Sequence, residues 1–253
     1  MKLTVIGCSG SVPGPASPAS CYLLQAPFEG RTFSLVLDLG SGAFGPLQGH
    51  LSPREIDAVA LSHLHPDHCL DMTALYVARK YGPAGPVPSI PVHGPPGAAE
   101  RMARASDLPL QPGMSQEFDF LDWDTTHAVG VGPFMVSAVR VVHPVAAYAV
   151  RIEHDGATLV YSGDTGPCEA LTGIARGADV LLAEASFVES ADNPPDLHLT
   201  GREAGEHARA AAVGRLLLTH IPPWTDANEV LEDARSGYDG PIELVAAGAS
   251  YTV

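Results

Sequence analysis

The sequence predicts one α/β domain spanning residues 1–253, on three observations. Short apolar runs bounded by turn residues alternate with stretches of helical periodicity along the whole chain. No linker, internal repeat or low-complexity tract divides it. With 253 residues, 45% of them hydrophobic and 17% charged, the chain can bury a substantial core and does not have the composition of a disordered one.

Taken in order, residues 3–6 read as a first strand, followed by the small-residue loop Gly7-Cys8-Ser9-Gly10-Ser11, whose glycines let backbone approach a neighbour closely. Residues 21–25 and 33–38 read as an antiparallel pair about the turn at Glu29-Gly30. The second strand ends in Asp38, which either caps the helix expected over 43–50 or supports the motif that follows. The run 56–61 is a short buried strand, and immediately after it come His63, His65, Asp67 and His68. Four ligand-type side chains within six residues at a strand end make a metal site, and imidazole with carboxylate suits zinc, with manganese or iron as substitutes. Pro66 is expected to block a regular helix through this cluster.

Beyond it, periodicity predicts a helix over 70–81, a Pro/Gly-rich break over 82–91, a strand over 90–93 and a helix over 98–105. His93 at that strand's end is expected to be structural. From Phe118 the pattern is β-rich, with strands at 117–121, 134–142, 147–153 and 157–161; Asp155-Gly156 signals a hairpin between the last two. His143, Asp164 and His220 each follow an apolar run, the position from which a rigid sheet can present ligands. The strand 180–184 ends in Glu184, and a loop carrying His198 leads to a helix from Thr200 to about Ala212. Thr200 with Glu203 forms a capping box there. A helix over 225–234 and a strand over 242–246 complete the chain.

The formal net charge of −15 gives no electrostatic footprint for a long nucleic acid, although a local pocket or a bound metal could still accept phosphate. Four cysteines without CxxC or disulfide-framework spacing suit free thiols in a reducing compartment. No apolar run approaches the ~20 residues of a membrane span, and the first residues read as a strand and not as an export signal. These features predict a cytoplasmic protein with no membrane partner.

His63-Leu64-His65-Pro66-Asp67-His68 resembles the HxHxDH motif of the metallo-β-lactamase superfamily, and His143, Asp164 and His220 match its downstream ligands in order. The resemblance covers nearly the whole chain and implies a four-layer αββα sandwich with two divalent metal ions at one edge. By resemblance, His63, His65 and His143 hold one ion, Asp67, His68 and His220 the other, and Asp164 bridges them. Asp38 then corresponds to the acidic motif that supports the histidine loop. A shared hydroxide would be the nucleophile, with Asp67 placed to orient it or accept its proton. An aspartate at Asp164 departs from the lactamases that use a thiolate there.

Glu184 and His198 resemble the paired acid and H-x-T histidine of ribonuclease Z and related phosphodiesterases, which implies that His198 stabilises phosphate charge or protonates a leaving oxygen while Glu184 orients it. The long tRNA-gripping insertion of ribonuclease Z lies between the ligands matching His143 and Asp164, where this chain has room only for a hairpin. Phrases such as Tyr161-Ser162-Gly163-Asp164-Thr165-Gly166 and Leu218-Thr219-His220-Ile221-Pro222-Pro223-Trp224 look like the atypical class II cyclic-nucleotide phosphodiesterases of actinobacteria. The expected reaction is therefore hydrolysis of 3′,5′-cyclic AMP to 5′-AMP. A nuclease of the ribonuclease Z kind is the first alternative, and a basic patch including Arg101 and Arg104 would favour it. An esterase or thioesterase of the same fold, or a non-catalytic metal protein, are the others. The small phosphodiester is the expected partner, and a homodimer is expected through the segment 82–91.

Overall fold

In a computed structural model, which describes residues 1–253 except Ala84 and Pro86, two seven-stranded mixed sheets pack face to face with helices on their outer faces. The first sheet takes almost all its strands from the N-terminal half: β1 (Lys2–Gly7), β2 (Cys21–Phe28), β3 (Arg31–Leu37), β4 (Ala58–Ala60), β5 (Ile90–Gly94) and β6 (Phe118–Asp122). The second holds β7 (Val129–Val131), β8 (Phe134–Arg140), β9 (Tyr148–His154), β10 (Ala157–Tyr161), β11 (Val180–Glu184), β12 (Arg215–Thr219) and β13 (Ile242–Leu244). The chain then returns: β14 (Ser250–Thr252) pairs antiparallel with β1 and closes the edge of the first sheet.

Inward residues of both sheets meet in one apolar layer. Leu35, Leu37 and Ala60 from the first sheet share it with Phe134, Val150, Leu159 and Leu182 from the second. Alternation puts the other faces of the same strands under helices, so Val36 and Val59 pack beneath α3 (Met72–Tyr81) and α4 (Ala98–Ala105). On the second sheet, Leu181, Leu216 and Leu218 pack under α5 (Glu169–Ala175) and α6 (Gly201–Ala210), with Val230 and Ala234 of α7 (Ala227–Gly237). Truncating one of these fully buried leucines to alanine is worth roughly 2–5 kcal/mol.

The capping box at Thr200 forms as expected: its hydroxyl accepts from Glu203 N, and Glu203 Oε2 accepts from Thr200 N at 2.8 Å. Asp38 does not cap the helix after β3. That helix, α1 (Phe44–Leu47), receives its acceptor from Asp71, whose Oδ2 takes Phe44 N at 2.9 Å. Pro66 does not block a helix either. It opens the short α2 (Pro66–Cys69) at the position where a missing N–H costs nothing, so His63 and His65 lie on a loop while Asp67 and His68 lie on a helical turn. The segment 82–91 breaks α3 after Tyr81; Ala84 and Pro86, within the stretch expected at a dimer interface, lie outside the described residues. Strands β7 and β14 and helix α5 have no counterpart in the sequence reading. Among the described residues, no helix is long and apolar enough to cross a membrane.

Candidate metal centre

The sequence-predicted ligands converge where the C-terminal ends of β4, β8, β10 and β12 meet. Two groups form, His63 with His65, His143 and Asp164, and Asp67 with His68, His220 and Asp164, and each could hold a metal ion. Asp164 belongs to both. Close backbone packing sets the loops: a Cβ on Gly40 would stand 1.9 Å from Asp67 O, and one on Gly10 would stand 2.2 Å from His220 O. The small-residue loop after β1 is thus required by its approach to the His220 backbone, which itself holds the left-handed conformation at φ 57°.

Four of the five imidazoles turn one nitrogen inward and have the other anchored. His68 Nδ1 is 2.7 Å from Asp38 Oδ2, His143 Nδ1 is 2.9 Å from Leu197 O, and His220 Nδ1 is 2.9 Å from Ser186 Oγ. His63 Nδ1 lies 3.1 Å from Ser62 Oγ. The inward atoms crowd one another: His63 Nε2 and His65 Nδ1 are 3.1 Å apart, His65 Nδ1 and His143 Nε2 3.2 Å, and His68 Nε2 and His220 Nε2 3.1 Å. Donors ~2.0–2.1 Å from a tetrahedral zinc ion stand roughly 3.3–3.4 Å from each other. The observed spacing is close to that, and a cation at the centre relieves the mutual repulsion of lone pairs. Asp164 Oδ1 fits the same reading. It is buried and makes no hydrogen bond among the described residues, although His68 Nε2 is 3.1 Å away.

The electrostatics favour the ligating form at His63 and Asp67 but charge at His68, where burial is outweighed by the Asp164 and Asp38 carboxylates and the imidazole is held well above its ordinary value. Burial pushes His63 well below the ordinary imidazole value, and the neighbouring His68 adds to it. Burial alone would raise the Asp67 carboxyl, but hydrogen bonding from His220 and His68 offsets that and holds it well below the usual carboxylate range. Asp38 is fully buried and accepts from four donors: Ser62 N at 2.6 Å, and Ser62 Oγ, Tyr161 OH and His68 Nδ1 at 2.7 Å.

Beside the two groups, His198 Nδ1 donates to Glu184 Oε1 at 2.9 Å. Burial disfavours charge on this imidazole, yet the Glu184 carboxylate outweighs it and pushes His198 up to about 9. The same oxygen accepts from Thr165 N at 2.9 Å, so Glu184 also holds the loop that carries Asp164. The other oxygen accepts from Ser186 Oγ at 3.0 Å, which links Glu184 to His220. His198 is flanked edge-on by Phe187, with ring centroids 5.3 Å apart, and keeps a small exposed edge. His93 joins neither group; it stacks on Trp123 at 5.4 Å, the structural role expected of it.

Ser62, Tyr161 and Ser186 were not singled out from the sequence. Tyr161 offered one signal, since it occupies an inward position at the end of β10, three residues before Asp164. The two serines offered only their adjacency to His63 and to Glu184.

The fold and the converging His/Asp groups define a metal-dependent hydrolase. Residues 35–221 match the beta-lactamase superfamily domain, and the chain belongs to that superfamily. Among its relatives, the uncharacterized protein ML1173 of Mycobacterium leprae is 48% identical, the match covering all of this chain and 89% of that one. The probable metallo-hydrolase YhfI of Bacillus subtilis is 30% identical over 98% of each chain. Its crystal structure superposes with a TM-score of 0.87, covering 99% of this chain and 98% of that one at 28% identity. The ribonuclease Z of Mycolicibacterium gilvum is 31% identical, over 96% of this chain and 93% of its own.

Proposed function

We propose that the protein is a dinuclear metal-dependent phosphodiesterase that hydrolyses 3′,5′-cyclic nucleotides, cyclic AMP to 5′-AMP. The observation that carries this reading is the His198–Glu184 pair set beside two ligand groups that share Asp164. In it, His63, His65 and His143 hold one ion, Asp67, His68 and His220 the other, and Asp164 both. Two divalent ions held there, zinc by donor chemistry, would supply a water of lowered pKa and neutralise phosphoryl charge.

The chain's own residues do the rest. Asp67, held as a carboxylate, orients the attacking water. His198, kept protonated by Glu184, binds a phosphoryl oxygen and gives its proton to the departing 3′ oxygen as the P–O3′ bond breaks. Asp38 fixes the tautomer of His68, leaving Nε2 free to ligate. Preference for a small diester over tRNA is supported by the β9–β10 hairpin, which fills the chain between His143 and Asp164, and by the net charge of −15. A cytoplasmic location is part of the reading and is supported by four free cysteines. So is a homodimer, which a mass by light scattering tests.

A ribonuclease Z activity is the second reading, favoured by the relative of that name. Against it, Arg104 is paired with Glu100 on the exposed face of α4 and adds little to a basic patch there. The deciding experiment loads purified protein with zinc or manganese and offers cyclic AMP and a precursor tRNA in parallel, with Asp67→Ala as control. Formation of 5′-AMP by the parent alone, with the tRNA intact, is the expected result. Cleavage of the tRNA alone transfers the proposal to the second reading, and inertness toward both removes the phosphodiester substrates while leaving the metal site to be tested by metal content.

A further inference from the structure

A cleft of about 700 Å³, lined by no member of either ligand group, opens at the edge of the sandwich between β3, β5 and β7. Its walls combine apolar surface, including Phe33 and Leu121, with three guanidinium groups from Arg31, Arg54 and Arg79. Arg31 and Asp57 neutralise each other at 2.8 Å. The other two have no carboxylate within ion-pair distance among the described residues. Among the described residues, Arg54 donates to Gly85 O, and Arg79 to Pro53 O and Pro88 O. Arg79 is 2% exposed, and its Nε is buried without any acceptor. Glu117, whose carboxylate favours the charge on Arg79 from beyond ion-pair distance, lies 3.8 Å from Lys80.

In a chain of net charge −15, the exposed Arg54 and the buried Arg79, whose Nε has no acceptor among the described residues, line one concave, partly apolar cleft and form a local cationic surface that suits an anion. Burial first and the charge of Arg54 next work against the charge on Arg79, Glu117 and Asp57 offset this only in part, and an anion in the cleft adds to that offset. A planar fork of N–H donors matches phosphate oxygens, and the volume lies within the range of small-molecule sites. The site is not the metal centre. Arg31 opens the strand that Asp38 follows, seven residues and roughly 20 Å away at ~3.3 Å per residue.

We propose that this cleft is a second ligand site, which takes a small organic phosphate with its phosphate on Arg54 and Arg79 and its apolar part against Phe33 and Leu121.

The test follows backbone amides of Ile56, Val87 and Gly132 by NMR in the zinc-loaded protein, during titration with 5′-AMP, inorganic phosphate and adenosine. These amides are remote from the ion-binding side chains, so ligand bound at the metals does not report on them. Saturable shifts with 5′-AMP, weaker ones with phosphate and none with adenosine are expected. Arg54→Gln, at an exposed position, should weaken 5′-AMP binding at the cleft by about tenfold, the scale of one charge-assisted contact. Arg79→Lys, which keeps the charge and loses the fork, should weaken it as well. Absence of saturable shifts, adenosine binding equal to that of 5′-AMP, or an unchanged affinity in Arg54→Gln overturns the proposal, even if Arg79→Lys fails to fold.

Discussion

The two ligand groups share Asp164 yet are supported in different ways. In the group of Asp67, His68 and His220 every member is buried, and carboxylate and hydroxyl groups inside the core anchor its imidazoles. In the group of His63, His65 and His143, two imidazoles are only half-buried, and His143 is anchored by a carbonyl of the loop that also carries His198. Rigid support fixes ligand geometry before an ion arrives, whereas a loop-borne anchor ties it to movements of the substrate side. On the proposed reading, the buried group would retain its ion and the open one would face the substrate.

The largest expected effect comes from removing what the two groups share. Asp164→Asn should abolish turnover and lower the metal content below two ions per chain, measured by elemental analysis. Retention of both ions would break the view that the groups are joined. Next, His198→Ala should lower kcat by ~10²–10⁴-fold with metal content unchanged, the range of a lost general acid. A fall in metal content instead would make His198 a ligand. Third, Asp38→Asn should weaken the ion of the buried group by ~10–100-fold and the other, which Asp38 reaches only through Ser62 and His63, by less, seen as a change in the order of loading. Equal weakening of both ions would remove the distinction between the groups.

The smallest effect is one of pH. An acid pushed up to about 9 is protonated below that value, so activity is lost as pH rises through it. Without the Glu184 carboxylate the protonated form is less favoured, and in Glu184→Gln the alkaline limb of kcat should move to lower pH. An unmoved limb would mean that another group titrates there.

Much of this centre could be read from the sequence because metal ligation needs rare side chains at tight spacing. His63, His65, Asp67 and His68 announce themselves within six residues, and His143, Asp164, Glu184 and His220 stand at or just past the ends of apolar runs. What could not be read depends on tertiary neighbours. Ser186 and Tyr161 are ordinary residues whose meaning comes from His220 and Asp38, 34 and 123 positions away. Pro66 shows the opposite limit, since one residue can break a helix or begin it and only its place in the turn decides. Strand β14 is three residues long and owes its existence to pairing with β1, some 246 positions earlier. The cleft arginines are scattered in sequence, so the local basic surface they form is invisible in a composition dominated by acids.

His63, His65, Asp67 and His68 follow β4 of one sheet, and His143, Asp164 and His220 follow β8, β10 and β12 of the other. An ion bound across them is therefore also a cross-link between the N-terminal and C-terminal halves of the chain. Ligand binding to the folded state alone adds stability by mass action, about 4 kcal/mol at a thousandfold excess over Kd. Chelation should then lower the melting temperature and loosen the seam between the sheets as well as stop turnover. A cell short of the metal would then lose this protein through turnover of a weakened fold, and the amount of protein would track metal supply.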